Sequence, residues 1–160
     1  MNVSVKSIDA SIQKIDHLDD DGLSKIAEYY STAQPVLFAY AGKAALEYNN
    51  PKLEGFLVYY FCILAEAFSQ EGLKPRSIDD KMIDEFEEPF FQVLNDFFDN
   101  DNPEVLEEFT DQPDLVKFMF MEISTPDEDG SELDDETATQ LFVVALAMIT
   151  LLSRACESAQ

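Results

Sequence analysis

The sequence predicts an all-α protein, a single domain over residues 1–160 that folds as a compact helical bundle or array of about six to eight helices. Apolar residues recur every three or four positions along most of the chain, which is the spacing of one helix face. No segment alternates apolar and polar residues long enough for a convincing strand, and residues 3–5 are the one short candidate. Two long segments that are apolar on nearly every face supply the core.

These two core helices are predicted at about residues 52–71 and 133–156. The first contains the run FLVYYFCILAEAF, whose single charge is Glu66. A helix that is apolar all round must be enclosed by other elements, so we expect the two helices to pack directly on each other. Glu66 is a candidate for a perturbed carboxylate, but it shares a thin stripe with Lys52 and Gln70, which favours an exposed edge. The second helix has a polar edge that Val143 and Ala147 interrupt.

Prolines and polar turns divide the first half of the chain. An amphipathic helix is expected to end near His17. Pro35 interrupts the next apolar stripe, which predicts two helices in line, or one kinked helix, meeting near Gln34. Asn50 and Pro51 are then placed to cap and begin the first core helix.

The second half follows the same pattern. Ser77 and the acids after it begin a helix whose apolar stripe continues across Pro89, so this element is predicted to be kinked or broken. Pro103 and Pro113 begin two shorter helices, over about residues 103–109 and 113–123. The phenylalanine pairs at 90–91 and 97–98 are seven residues apart, which favours burial on one broad face over an exposed aromatic patch.

Composition limits the function classes. The hydrophobic fraction of 46%, with 13 Phe, indicates a globular chain. We expect a cytoplasmic protein, because no apolar signal run opens the chain, and no membrane span, because the apolar run at residues 141–152 is shorter than the roughly 18 to 20 residues that a bilayer needs. Cys62 and Cys156 both fall in apolar helical patterns and are expected to be buried thiols.

The charge is large and unevenly distributed. The chain has 33 acidic and 10 basic residues, for a net charge of -23. Residues 1–76 contain 10 acids and 7 bases, whereas residues 77–160 contain 23 acids and 3 bases. Direct binding of nucleic acid is excluded, because the few bases do not cluster. An excess of one sign attracts basic proteins, although charge that serves solubility alone is the simpler alternative.

We therefore expect a small protein-interaction module, such as an inhibitor, an immunity-like protein or an adaptor, that binds a basic protein through the acidic surface of residues 79–136. A mimic of a nucleic-acid phosphate row is a narrower form of the same idea. The residues expected to contact the partner are Asp84, Glu85, Glu88, Asp96, Asp99, Asp101, Glu104, Glu107, Glu108 and Asp111.

The alternative is a carboxylate-based metal-binding protein or enzyme, for which no catalytic residue is assigned and no cofactor is expected apart from calcium or magnesium. Residues 17–28 and 125–136 both place acids at several positions of a calcium-binding EF-hand loop, but neither has an acid at the first position. In the second segment the ligands would be Asp127, Asp129 and Glu136. The competing interpretation is that both segments carry acidic helix caps.

Overall fold

The computed structural model describes residues 2–125 and 133–157, and these residues form eight helices and no strand, which confirms the all-α prediction. Val5, in the one strand candidate, begins the first helix. The helices are α1 (Val5–Asp16), α2 (Asp20–Ala33), α3 (Pro35–Glu47), α4 (Leu53–Gln70), α5 (Asp80–Asn100), α6 (Pro103–Thr110), α7 (Pro113–Ser124) and α8 (Asp135–Glu157).

The two apolar helices, α4 and α8, form the centre of the fold and pack directly on each other, as predicted. Eleven of the 18 residues of α4 are buried, among them Phe61, Ile63 and Phe68. α1 covers another side of α4, and α7 packs along α8. Cys62 and Cys156 are both buried, and burial raises the pKa of the Cys62 thiol to about 11.

By length and composition alone, α8 is long and apolar enough to cross a membrane. The segment Asp135–Cys156 has a mean hydropathy of 1.7 over its most apolar window, and 83% of that window is buried inside the fold. Contact with α3, α4, α5, α6 and α7 therefore accounts for its apolar sequence.

Prolines set several helix boundaries. Pro35 begins α3 directly after Gln34, as the sequence predicts. The first core helix begins at Leu53, two residues later than expected, because residues 51–52 form a turn in which the Leu53 amide donates to the Asn50 carbonyl at 3.1 Å. The Asn50 side-chain oxygen accepts from the Lys52 amide at 3.2 Å, and its amide nitrogen donates to Thr137 and Gln140 of α8. α5 is not broken: it continues through Pro89 as one helix of 21 residues.

The prediction of an exposed edge for Glu66 is wrong. Its side chain is 4% exposed, and its carboxylate accepts hydrogen bonds from the Tyr30 hydroxyl at 2.9 Å, Lys14 Nζ at 3.0 Å and Gln70 Nε2 at 2.9 Å. α1 and α2 lie over the polar stripe of α4 and supply two of these donors. Burial, and next the Glu66 carboxylate, raise the pKa of Tyr30 well above its usual value. The network thus joins three helices through one buried charge.

Removing one donor from this network should destabilise the fold. Tyr30→Phe takes a hydrogen bond from a buried carboxylate, and bonds to charged groups contribute about 1.5–3 kcal/mol. We expect the free energy of unfolding, measured by urea denaturation, to fall by about that amount. Tyr29→Phe is the matched control, because Tyr29 is 68% exposed and its loss should change stability by less than about 0.5 kcal/mol. Equal effects of the two substitutions would contradict the role given to Glu66.

Gly42 offers a stabilising substitution. It lies inside α3, and a Cβ atom added there meets nothing within 4 Å. Gly42→Ala should raise the free energy of unfolding by about 0.5–1 kcal/mol, because alanine loses less backbone entropy in a helix. Gly22→Ala is the control: its Cβ would lie 3.0 Å from Leu18 Cδ2, so it should gain less in the same urea titration. A larger gain at Gly22 would contradict this account.

Candidate functional site

The ten carboxylates predicted to contact a partner all lie on α5, on α6 and in the turns that follow these two helices, and we call this set the acidic face. Eight of them are exposed, and Asp96 and Glu107 are half-buried. Asp101 and Asp111 end α5 and α6 in the left-handed conformation, with φ of 50° and 58°. Aspartate tolerates this conformation better than most residues, so these carboxylates serve local structure while they remain exposed.

An aromatic layer beneath the acidic face turns the carboxylates outward. Ile83, Phe86, Phe90 and Leu94 form the buried stripe of α5. The Phe86 and Phe90 rings stack with centroids 4.6 Å apart, and Phe109 of α6 lies 6.0 Å from Phe90. Since this stripe faces inward, most of the acids of α5 occupy the opposite sides of the helix.

Few cations neutralise this face. Lys81 Nζ lies 4.0 Å from Glu85, and Lys117 Nζ lies 4.0 Å from Glu107. Both pairs are at the limit of an ion pair and have exposed lysines, so each contributes little. Within the described ranges, no other ion pair reaches the ten carboxylates.

The arginine of the acidic half is held under this face. The Arg154 guanidinium lies 4.9 Å from the ring centroid of Phe109 and 5.6 Å from that of Phe86. Such cation–π contacts favour a cation at the aromatic layer. Arg154 therefore supports the packing of α5 and α6 on α8.

The prediction that both phenylalanine pairs are buried is wrong for one ring of each pair. Phe90 is 1% exposed, but Phe91 is 50% exposed and Phe98 is 54% exposed. Consecutive helix residues point about 100° apart, so a stripe that buries Phe90 leaves Phe91 at its border. Phe97 is half-buried and its ring centroid lies 6.5 Å from that of Phe142 on α8. The acidic half thus carries exposed aromatic side chains among its carboxylates.

A groove of about 550 Å³ runs beside the acidic face between α3 and α5, with α8 as its floor. One wall is the α3 side, where Val36, Tyr40 and Tyr48 line the groove. Apolar residues of α8, including Val143 and Ala147, form the floor. A volume of this size lies within the range of protein binding pockets, about 300–1,000 Å³.

The α5 wall of this groove is acidic. Asp80, Asp84 and Glu87 line it at helical spacing. The α3 wall adds Lys43 and Glu47, which face each other at 3.7 Å and so largely cancel. The groove therefore keeps a net negative charge from its α5 wall.

The surroundings of the groove raise the pKa of the two tyrosines that line it. Burial, and then the Glu87 carboxylate, raise the pKa of Tyr40 to about 12. Burial also raises the pKa of Tyr48, with Glu47 adding to the shift. Both causes disfavour a negative charge on these phenols, but burial disfavours a charge of either sign, so only the carboxylates beside the tyrosines would favour a bound cation.

The metal-ligand predictions are only partly covered by the described residues. Asp127 and Asp129 lie outside them. Glu136 lies in the first turn of α8, where it is exposed and accepts a hydrogen bond from Gln140 Nε2 at 3.3 Å. In the first segment, Asp19 caps α2 by accepting a hydrogen bond from the Gly22 amide at 2.7 Å, as the helix-cap interpretation predicts. Over residues 2–125 and 133–157, no group of three or more His, Cys, Asp or Glu side chains is placed to hold a metal ion.

Sequence reasoning missed the groove residues Asp80, Glu87 and Tyr40. The spacing of Asp80, Asp84, Glu87 and Phe91 marks a stripe along one border of α5, and that signal is present in the sequence. That α3 lies opposite this stripe is a property of the tertiary fold.

Comparison of the chain with protein-family models, with curated proteins and with solved structures finds no match.

Proposed function

We propose that this protein is a small interaction module that binds a basic protein partner through its acidic face. The observation that supports this most is that eight of the ten carboxylates are exposed, while lysine ion pairs reach only two of the ten within the described ranges. Carboxylates that nothing inside the fold neutralises are available to an outside cation.

The uneven charge supports the same function. Residues 77–160 hold 23 acids and 3 bases, while residues 1–76 are nearly balanced with 10 acids and 7 bases. Like charges close together destabilise the folded state, and a net charge of magnitude about 2–8 is enough to keep a small domain in solution. A basic partner would relieve this repulsion and would be attracted to one side of the molecule. The alternative of charge for solubility alone does not account for this asymmetry.

Exposed apolar side chains in the same half would add affinity. Large apolar residues with at least half of their surface exposed there are Phe91, Phe98, Phe120 and Met121. Aromatic residues are common anchors of interfaces with a polar rim, where apolar contact supplies affinity and charge speeds the encounter.

The proposed class of partner follows from charge. This surface fits a basic protein. The module could hold that protein inactive, as an inhibitor or immunity protein would, or recruit it, as an adaptor would. A nucleic-acid-binding protein is included, since its phosphate-binding surface is basic. The proposal includes a cytoplasmic location.

Neutralising part of the acidic face should weaken the partner complex. The test variant combines Asp99→Asn, Asp101→Asn, Glu104→Gln and Glu108→Gln, all at exposed positions. The partner would first be identified by cross-linking in an extract of the native cell at low salt. It would then be purified, and the kinetics of its binding to each variant would be measured. We expect its association to slow by about tenfold or more at low salt, because electrostatic steering contributes about 10 to 10³ in rate.

The matched control removes the same charge elsewhere, with Asp9→Asn, Asp21→Asn, Glu28→Gln and Glu54→Gln at exposed positions of the other half. Its association should stay close to that of the natural chain, and the difference between the two variants should vanish near 1 M salt, where the Debye length is about 3 Å. A partner without a positive surface, or equal slowing by both variants, would refute the proposal.

The metal-binding alternative has a separate signature. If the carboxylates serve a protein partner, millimolar calcium or magnesium should change the Tm only as much as sodium chloride of the same ionic strength does. A calcium-specific rise in Tm, reversed by EDTA, would favour the metal-binding alternative. Thermal unfolding followed by circular dichroism makes this measurement.

A further inference from the structure

The groove between α3 and α5 has the form of a trough along α8. At one end, the Gln34 side chain, just before α3, donates to the Arg76 carbonyl at 2.8 Å and accepts from the Ile78 amide at 2.9 Å, while the Arg76 amide donates to the Ala155 carbonyl near the end of α8 at 3.3 Å. These bonds hold the start of α3, the segment before α5 and the last turns of α8 close together.

The other end of the groove is held by different contacts. Asn50, just after α3, donates to Thr137 at 2.9 Å in the first turn of α8, and Phe97 of α5 lies near Phe142. α3 and α5 therefore run parallel to each other and antiparallel to α8. With 13 residues at about 1.5 Å each, α3 gives the trough a length of about 20 Å, which is between three and four helical turns.

Only part of the trough floor is open to another molecule. The polar edge of α8 is interrupted by Val143 and Ala147, and both line the groove. Ala147 is 1% exposed and Val144 is 3% exposed, so contacts within the fold already cover them, whereas Val143 is half-buried. On the α5 wall Phe91 is 50% exposed, so Val143 and Phe91 are apolar side chains that another molecule can reach.

We propose that this trough accepts an amphipathic basic helix of the partner, with its apolar face on Val143 and Phe91 and its lysines or arginines against Asp80, Asp84 and Glu87. The inference rests on the proposed function and adds the kind of segment that the partner presents. Charge complementarity selects this occupant, because the acidic wall would attract the cations at the borders of such a helix.

A second copy of this chain is a poor occupant by the same criterion. Each copy has a net charge of -23, and an acidic helix placed in the trough would bring its carboxylates against those of the α5 wall. Like-charge contact across an interface disfavours binding. The length of the trough also suits a helix, because an amphipathic helix presents anchors along several turns.

The probe is a synthetic 14-residue peptide of leucine and lysine, with leucines at helical spacing, titrated into the full chain with labelled methyl groups. We expect saturable NMR shifts of the methyl groups of Val36 and Val143, which line the groove and are half-buried. A peptide of the same composition in scrambled order, which has no apolar face, should bind about tenfold more weakly or worse. Equal binding of both peptides would overturn the inference.

A groove-filling variant separates shape from charge. Ala39 is exposed and lines the groove, so Ala39→Trp would occupy space there without changing charge. It should weaken peptide binding by about tenfold, while Thr32→Trp, which adds the same bulk at an exposed position of α2, should not. Circular dichroism of both variants checks that the fold is kept. If Ala39→Trp binds as well as Thr32→Trp, the trough is not the site.

Charge variants distinguish this inference from the proposed function. Asp80→Asn with Glu87→Gln, two groove positions outside the acidic face, should weaken peptide binding by about tenfold, more than the Asp99, Asp101, Glu104 and Glu108 variant does. If the peptide shifts only NMR signals of the acidic face, and if its binding is insensitive to Ala39→Trp, then the trough is not the binding site. The proposed function would still stand. Concentration-dependent dimers of the free chain that Ala39→Trp abolishes would assign the trough to a second copy and overturn the inference.

Discussion

The structure depends on the need to enclose two helices that are apolar on nearly all sides. α4 and α8 cannot face water without exposing large apolar areas, so the other helices are arranged around them. Each covering helix needs only one apolar stripe, and its polar side is left outside. Polar groups drawn into this core are satisfied: Ser11 donates to the Ile63 carbonyl at 2.7 Å, and Thr150 to that of Leu146 at 2.8 Å. Over the described residues, no buried side-chain nitrogen or oxygen is without a partner.

This constraint explains which features could be predicted from the sequence. Periodicity along a single helix identifies the core helices, the class of fold and the boundary at Pro35, because each depends on local residues. The environment of Glu66 depends on Tyr30 and Lys14, which are 36 and 52 residues away in sequence. A helical wheel shows that a stripe is polar, but it does not show what packs over that stripe. The groove was missed for the same reason, since it requires α3 and α5 to meet on α8.

The electrostatic consequence is specific to the acidic half. Moving a carboxylate into the core without a partner costs several kcal/mol, so the acids of α5 and α6 stay at the surface once Phe86, Phe90 and Phe109 form the inner layer. Arg154 is held beneath the same layer by its contacts with Phe86 and Phe109, and so it supports the fold where it lies. Packing and charge therefore act in opposite directions here. The aromatic layer holds the acids close together, and their repulsion remains in the folded state.

An apolar groove on a protein surface would ordinarily favour self-association, and the charge on its wall changes that outcome. Val143 and Phe91 leave apolar surface open in the groove, while Asp80, Asp84 and Glu87 disfavour any occupant that is itself acidic. In the proposed complex, the two features would together select a ligand that is apolar on one side and basic at its borders. Specificity would then arise from rejection as well as attraction, because a second copy of the chain could cover the apolar surface only by bringing like charges together. The carboxylates that destabilise the isolated fold by repulsion are thus the groups that would restrict which surfaces can cover the groove.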